Sequence, residues 1–221
     1  STNFFQSGGY GTSSAIQLRG LPKRYSTVYI DGVKMSDPSS VSGDFDFNNI
    51  LTSHLSRVEI LKGSQSSVYG SGAIGGTINI TTKKGKDGFH KKINYATGSN
   101  NTHDLSMNLS GANEKNNFYF GLQRFDTDGI SQMRHNEEKD RYRNNTIVAH
   151  YGYKFSDKFE VSNNARVAET YLQYDAVACC SGYDHSEEAD GLEGSYNINF
   201  IHKPMKNFTN KFTFANTYIK R

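Results

Sequence analysis

Residues Arg57–Gly85 read RVEILKGSQSSVYGSGAIGGTINITTKKG, and the architecture of the chain turns on this stretch. Two short apolar runs, Val58–Leu61 and Thr77–Thr82, bracket a segment dense in Gly and Ser. Val58, Ile60, Ile78 and Ile80 alternate with polar neighbours, which predicts half-buried strands. Gly63, Gly70, Gly72, Gly75 and Gly76 lie between them and predict tight turns and close backbone approaches. Gly70-Ser71-Gly72-Ala73-Ile74-Gly75 also fits G-x-G-x-x-G. Phosphate binding by that motif needs a strand before the glycines and a helix after them, its N-terminus on the pyrophosphate. The residues that follow, TINITT, are β-branched and strand-like, so the context is wrong for a nucleotide.

Upstream, residues 1–14 are Gly/Ser-rich and read as loop. Ile16 and Leu18 alternate with Gln17 and Arg19 in a short strand that Gly20 and Pro22 end. Lys23-Arg24-Tyr25 make a turn before a strand at Ser26–Ile30, and Asp31-Gly32 is a strong turn signal before Val33 and Met35. A polar loop runs from Asp37 to Asp46. Asn48-Asn49 predict the start of a short helix, with Ile50, Leu51, His54 and Leu55 at helical spacing and an end near Ser56. His54 has no second ligand four residues away and reads as a surface or helix-end residue.

Downstream of Lys83-Lys84-Gly85-Lys86-Asp87-Gly88 the pattern changes to segments of strict alternation, about seven strands with one apolar face each. Ile147, Ala149, Tyr151, Tyr153 and Phe155 form the apolar side of one, and Phe208, Phe212, Phe214 and Tyr218 that of another. The opposite faces carry Lys, Arg, Glu and Asn. A dry core does not accept these, so the polar face is expected to meet water and the apolar face lipid or another sheet. Short connections (111–116, 156–157, 203–207) alternate with long ones (127–141, 171–192), the rhythm of a membrane barrel rather than a soluble sandwich. Tyr151, Tyr153 and Phe155 suit an interfacial aromatic girdle. Seven strands are too few to close a wide barrel around a plug, which reads as a fragment, as does a start at Ser1 without Met.

Composition agrees. The 221 residues are 35% hydrophobic yet 13% aromatic, all Tyr and Phe, which suits one-sided strands better than a thick interior. A net charge of +3 is too mild to argue for nucleic acid. No apolar run approaches the ~20 residues of a membrane helix, an absence that leaves barrels open. Cys179 and Cys180 are adjacent, lack metal-site spacing and do not bridge each other without a strained ring. No Ser/His/Asp, Cys/His or paired-carboxylate constellation stands at catalytic spacing, so nothing argues for an enzyme.

The stretch around Arg57, Glu59, Lys62, Gly63, Tyr69, Gly70, Ala73, Gly75, Gly76, Asn79 and Thr81 resembles the plug-domain signature of TonB-dependent outer-membrane receptors. Leu18-Arg19-Gly20 and Val28-Tyr29-Ile30-Asp31-Gly32 resemble two further elements of that family, in the same order. The resemblance implies a mainly β fold: an N-terminal α+β plug over residues 1–85, followed over 86–221 by the first strands of a transmembrane antiparallel β-barrel that has 22 strands in the complete family fold. It implies a bacterial outer-membrane receptor, monomeric, for energy-coupled import of cobalamin or a ferric siderophore, with a slight lean to cobalamin. A TonB-type energy-transducing protein would act through an N-terminal segment absent from this sequence. The alternatives are a passive porin-like or adhesive barrel, disfavoured by the Gly-rich domain before the first barrel strand, and a secreted all-β hydrolase.

By the same resemblance, ligand is held by Lys23, Arg24 and Tyr25 and by Ser40, Val41, Ser42 and Asp44 in the plug loops. Val41-Ser42-Gly43 also looks like the second plug loop of the cobalamin branch. Arg19, Arg57 and Glu59 are expected in the plug or against the barrel wall, where an arginine meets a barrel carboxylate. The acidic stretch holding Asp175, Asp184, Glu187 and Asp190 is a candidate calcium loop, although a charged external loop is also simply solvated. His135 and His185 have no ligand partner at useful spacing.

Overall fold

The computed structural model describes residues 1–221 except 39, 41, 71, 132–138, 176–185 and 206. Two small sheets lie against a long one. Strands β1 (Thr2–Gln6) and β2 (Ser14–Leu18) form a hairpin. Strands β3 (Ser26–Ile30), β4 (Val33–Met35), β5 (Leu55–Lys62) and β6 (Gly76–Thr82) form a sheet in the order β4-β3-β6-β5, with β3 and β6 parallel. The third sheet is an antiparallel meander, in order from β7 (Gly88–Gly98) through β8 (Thr102–Ala112), β9 (Asn116–Thr127), β10 (Tyr142–Ser156), β11 (Phe159–Asp175) and β12 (Ser186–Met205) to β13 (Phe208–Lys220). This is the mainly β fold expected, and the seven described strands of the meander fall where alternation placed them.

The sequence explains the joints. Asp31 and Gly32 both have positive φ, 51° and 82°, the type I′ geometry that joins β3 to β4 with the right twist. Asp31 then turns its carboxylate back to accept from the Thr82 amide (2.9 Å) and hydroxyl (2.7 Å), locking β3 to the end of β6. Gly76, at φ 148°, lets β6 start against β5. A Cβ there would stand 2.3 Å from the Leu61 carbonyl oxygen and 2.7 Å from Leu18 Cδ1. Leu18, Val28, Ile30, Met35, Phe45, Ile78 and Ile80 fill one small core between the two sheets.

Several expectations are corrected. Residues 1–14 are not all loop, because β1 pairs with β2 from Thr2↔Leu18 to Gln6↔Ser14. The helix expected from Asn48 to Ser56 is a single 3-10 turn, Phe47–Asn49, capped by the Asp46 carboxylate, and Leu55 is drawn straight into β5 by pairing with β6. A short helix α1 (Ser66–Tyr69) occupies the Gly/Ser segment instead. The glycines of the G-x-G-x-x-G match therefore follow a helix and precede a strand, the reverse of a phosphate-binding order. β5 is the edge of its sheet, which leaves Val58 exposed rather than half-buried.

The meander separates its faces as expected but not its environments. Ile93, Tyr95, Ile147, Tyr151, Phe212 and Phe214 stand exposed on the convex side. The polar face, expected to meet water, is instead buried in large part against the two small sheets: Ser106, Gln123, Asn144, His150, Asn164, Arg166, Glu193, Asn197 and Asn199 all lie inside. Among the described connections at the end that carries the long loops, Ser99–Asn101 is short, so the rhythm of long loops begins only with the second hairpin.

Replacing Gly76 by Val in the full-length protein is expected to unseat β6 while the outer strands still fold. Limited proteolysis would show it as new cleavage within residues 55–82 beside an unchanged heat-modifiable barrel band.

Candidate ligand-binding face and plug contacts

Loops of the small sheets gather at the long-loop end of the meander. In the β1–β2 loop, the Tyr10 ring packs on Phe125 with centroids 4.8 Å apart. Gly11 in the same loop has no room for a Cβ against Tyr142. With Gln6, Asn100, Thr127 and Asp140, Tyr10 lines a cavity of about 440 Å³ open to that end. The loop after β4 reaches the same level, where Asp37 meets Arg221 at 2.8 Å, one residue past the end of β13.

Structure brings together most of the residues that sequence assigned to ligand. Lys23, Arg24 and Tyr25 form a 3-10 turn, and the Lys23 ammonium meets the Asp44 carboxylate at 3.1 Å, joining the two loops. The Ser40 hydroxyl also donates to Asp44. Burial raises the Asp44 carboxyl, but the bonds from Ser40 and Lys23 outweigh it and hold the group below the usual carboxylate range. Arg24 lies over the Tyr25 ring, 5.1 Å from its centroid. Ser36 donates to the Gly43 carbonyl (2.9 Å), closing the loop on which Ser42 stands exposed. Val41 lies outside the described residues. The sequence reading leaves out the β1–β2 loop. Its Gly8-Gly9-Tyr10-Gly11 run was the available signal, an aromatic carried on a hairpin tip.

The acidic stretch comes apart. In the β11–β12 ladder Asp175 opposes Ser186, Glu187 opposes Tyr174 and Asp190 opposes Tyr171. Glu187 and Asp190 are an odd number of residues apart and so point to opposite faces, while Asp175 and Asp190 sit at opposite ends of the segment. Asp184, His185, His135, Cys179 and Cys180 lie outside the described residues. Among the described residues, no three His, Cys, Asp or Glu side chains come together as a metal set.

The small sheets are held to the meander by hydrogen bonds at three levels. Uppermost, the 3-10 turn Phe47–Asn49 offers its backbone carbonyls. Tyr142 donates to Asn48 (3.0 Å), while Asn144 (3.3 Å) and Arg166 (2.8 Å) donate to Asn49. Arg166 is simultaneously paired with Glu193, and both side chains are about 5% exposed. The arginine against the wall thus comes from the barrel strand and meets plug backbone. Arg57 and Glu59, expected in the plug or against the wall, lie in the plug and pair with each other at 3.4 Å on the exposed β5 edge. At mid-height Asn197 donates to the Asp31 carbonyl (2.7 Å).

Lowest, His54 Nδ1 meets the Tyr119 hydroxyl at 2.7 Å, and Asn117 brackets Gly85 through its amide and carbonyl. His54 is 1% exposed, not a surface residue, because it plugs the gap that Gly121 leaves in β9. Burial pushes its imidazole below the ordinary value, and the Lys83 ammonium adds to this.

A small mixed domain seated in the concave, polar face of a barrel wall, with its loops gathered at the long-loop end, defines the class: a plugged outer-membrane-type barrel. The family model for the TonB-dependent Receptor Plug Domain matches residues 1–77. The "Vitamin B12 transporter BtuB" of Photobacterium profundum is 28% identical over 172 residues, covering 76% of this chain and 28% of its own length. In structure, the chain superposes on the ferric yersiniabactin uptake receptor FyuA from Yersinia pestis with TM-score 0.74 at 20% identity, covering 97% of this chain and 36% of that one. It also superposes on the siderophore receptor PirA from Acinetobacter baumannii with TM-score 0.74 at 17% identity, covering 97% and 35%. Over residues 1–77 the chain matches the plug domain of TonB-dependent receptors, and beyond them it is similar to proteins that carry such a plug. It spans about 30% of the length of the curated relatives it matches.

Two outcomes follow from the contacts. Arg166→Met leaves Glu193 charged and buried without its partner, so the thermal midpoint of the full receptor should fall, on the scale of about 3–5 kcal/mol for a broken buried pair. The Arg166→Met/Glu193→Leu double variant should recover much of that loss. His54 is depressed in the folded state, so its contribution is fully present above the unfolded value of about 6.5 and is lost as pH falls below it. Thermal melts between pH 7.5 and 5.5 should show that loss, and His54→Leu should flatten it.

Proposed function

We propose that this chain is the plug and the opening barrel strands of an outer-membrane receptor that imports a scarce, bulky ligand, cobalamin or a ferric siderophore, with a slight preference for cobalamin. One observation carries the reading: the plug blocks the concave side of the wall while its loops gather at the open end. The Lys23–Asp44 bridge joins two plug loops and the Tyr10–Phe125 contact joins plug to wall, and both support reading these loops as ligand contacts. Lys23, Arg24, Tyr25, Ser40, Val41, Ser42 and Asp44 are the proposed plug contributors, and Tyr10 joins them. A wall without a plug, as in a passive porin, has no use for buried inward donors aimed at plug carbonyls. The preference for cobalamin rests on the BtuB relatives at 27–28% identity, against the siderophore receptors among the structural neighbours at 14–21%.

In this reading ligand docks on both sets of loops, and a TonB-type periplasmic partner pulls the plug to open a path. Plug rearrangement breaks mainly hydrogen bonds, the Asp37–Arg221 ion pair and one contact to a buried ion pair, which water can replace, rather than an apolar seam. The calcium expectation rests on the acidic stretch alone and is tested alongside.

Equilibrium binding to the full-length receptor in detergent, with cobalamin and a ferric siderophore panel, each with calcium or chelator, decides the ligand. Cobalamin binding that Tyr10→Ala and Lys23→Ala each weaken about tenfold or more supports the site, such losses being within reach of single interface residues. Siderophore binding alone overturns the cobalamin preference, and indifference to chelator overturns the calcium loop. Binding of neither overturns the import reading.

A further inference from the structure

The outward face of the meander changes character along one row of its register. On β9, exposed Phe120 and Leu122 give way to Arg124 and Asp126, and on β10, exposed Ile147 gives way to Asn145 and Arg143. Pairing sets these steps side by side, since Leu122 opposes Ile147, Arg124 opposes Asn145 and Asp126 opposes Arg143. On β8 the outward residues pass from Met107 and Leu105 to His103, which meets the Tyr95 hydroxyl of β7 at 2.8 Å. On the apolar side of the row, Leu105, Met107, Leu122 and Ile147 border a groove of about 280 Å³, and Arg124 and Asn145 close it toward the long-loop end.

Three guanidiniums converge at that end on one carboxylate. Arg141, Arg143 and Arg124 approach Asp126 to 3.0, 3.1 and 3.2 Å. Asp126 is 15% exposed and the three arginine side chains 34–56%, so the carboxylate lies beneath and the cations outermost. Arg141 spends both Nε and Nη2 on Asp126, whereas among the described contacts Arg143 gives it only Nε and Arg124 only Nη2. A guanidinium has more N–H donors than these, so Arg124 and Arg143 keep some for a second acid. The next carboxylate on this face, Glu169 of β11, accepts from Asn145 at 3.3 Å, and the three cations still outnumber the two carboxylates. Glu188 and Asp190 stand on β12, two strands from Arg143, so the positive excess lies over β9 and β10, beside the groove.

In the receptor reading above, the apolar side of the wall meets lipid, and this row stands where acyl chains end and headgroups begin. Resting on that reading, we infer that Arg124 and Arg143 bind the net-negative phosphate headgroup of an acylated lipid whose chain lies in the adjoining groove. Arginine suits a phosphate because its planar fork matches two oxygens at once. Asp126 holds the guanidiniums together from beneath and leaves their outer side to the ligand. The groove commits the site to a lipid, since a free anion has no chain to lay on Leu122 and Ile147.

Native mass spectrometry of the full-length protein, released from detergent after titration with a lipid, tests it. The lipids are phosphatidic acid and phosphatidylcholine of the same chains, the choline of the second neutralising its phosphate. Phosphatidic acid is expected to stay bound at concentrations where phosphatidylcholine does not. Arg124→Gln/Arg143→Gln, which leaves Arg141 on Asp126, should weaken phosphatidic acid about tenfold or more, the effect of losing one or two charged hydrogen bonds. Equal retention of the two lipids by the unaltered protein overturns the site without recourse to any variant. Undiminished binding of phosphatidic acid by the double variant overturns it as well. Inorganic phosphate that displaces phosphatidic acid at concentrations near those of the lipid makes the cluster a free-anion site and overturns it too. Heat-modifiable migration of the same sample reports the barrel, and cobalamin or siderophore binding reports the receptor reading, so each failure is separately visible.

Discussion

Everything in this structure depends on one constraint: a barrel wall whose inner face is polar must find a hydrogen-bonding partner for each group that the plug covers. Buried amides and charges without partners cost about 1–3 kcal/mol each, so a mismatched plug would be expelled. The wall meets the constraint by satisfying itself first. His150 bonds Asn164, Asn164 bonds Asn197, Asn199 bonds Asn197, and Thr213 bonds Asn199, a ladder that crosses four strands at 2.8–2.9 Å. Of the remaining valences, several meet backbone carbonyls of the plug at Asp31, Asn48 and Asn49, while Tyr119 meets the His54 imidazole and Arg221 the Asp37 carboxylate.

Backbone carbonyls as the plug's contribution have a consequence for its interior. A turn leaves its carbonyls free of ladder and helix bonds, so turns are ready places to offer them. The 3-10 turn Phe47–Asn49 and the Asp31–Gly32 turn supply them, each fixed from within by an aspartate, Asp46 on the amides of Ser14 and Asn48 and Asp31 on Thr82. The plug's small apolar core keeps these turns at the right spacing. Its packing thus serves the interface as well as the domain.

These causes decide what could be read from the sequence. Strand alternation in the meander is legible because one face is apolar and the other polar, whatever lies inside. The Asp31-Gly32 turn and the glycine run before β6 are legible because only particular backbone angles fit there. What covers the polar face is not written in the strands: Asn164 and Asn197 look alike whether they meet water or protein. The same blindness hid His54, whose burial comes from Gly121 on a strand 67 positions further on. The helix over Asn48–Ser56 failed because tertiary partners claimed its carbonyls and its last residue. Lys23 and Asp44 were each picked out by the family resemblance, but their bridge needs the fold. In the acidic stretch the ladder sends Glu187 and Asp190 to opposite faces, a placement that composition alone does not show.

A polar seam also reconciles two demands that an apolar one would set against each other. The plug must stay seated in the resting receptor, and in the proposed cycle it must shift under force without collapsing. An apolar interface resists through area, and separating it exposes surface that costs about 25 cal/mol per Å². Hydrogen bonds to Asn, Tyr and Arg side chains are individually modest and can be exchanged for water one at a time. The buried Arg166–Glu193 pair fits this division: its charges satisfy each other within the wall, so losing Asn49 leaves a donor free but no charge unpaired. The wall therefore keeps its own structure while the plug moves past it, and the apolar core that must not open lies wholly inside the plug.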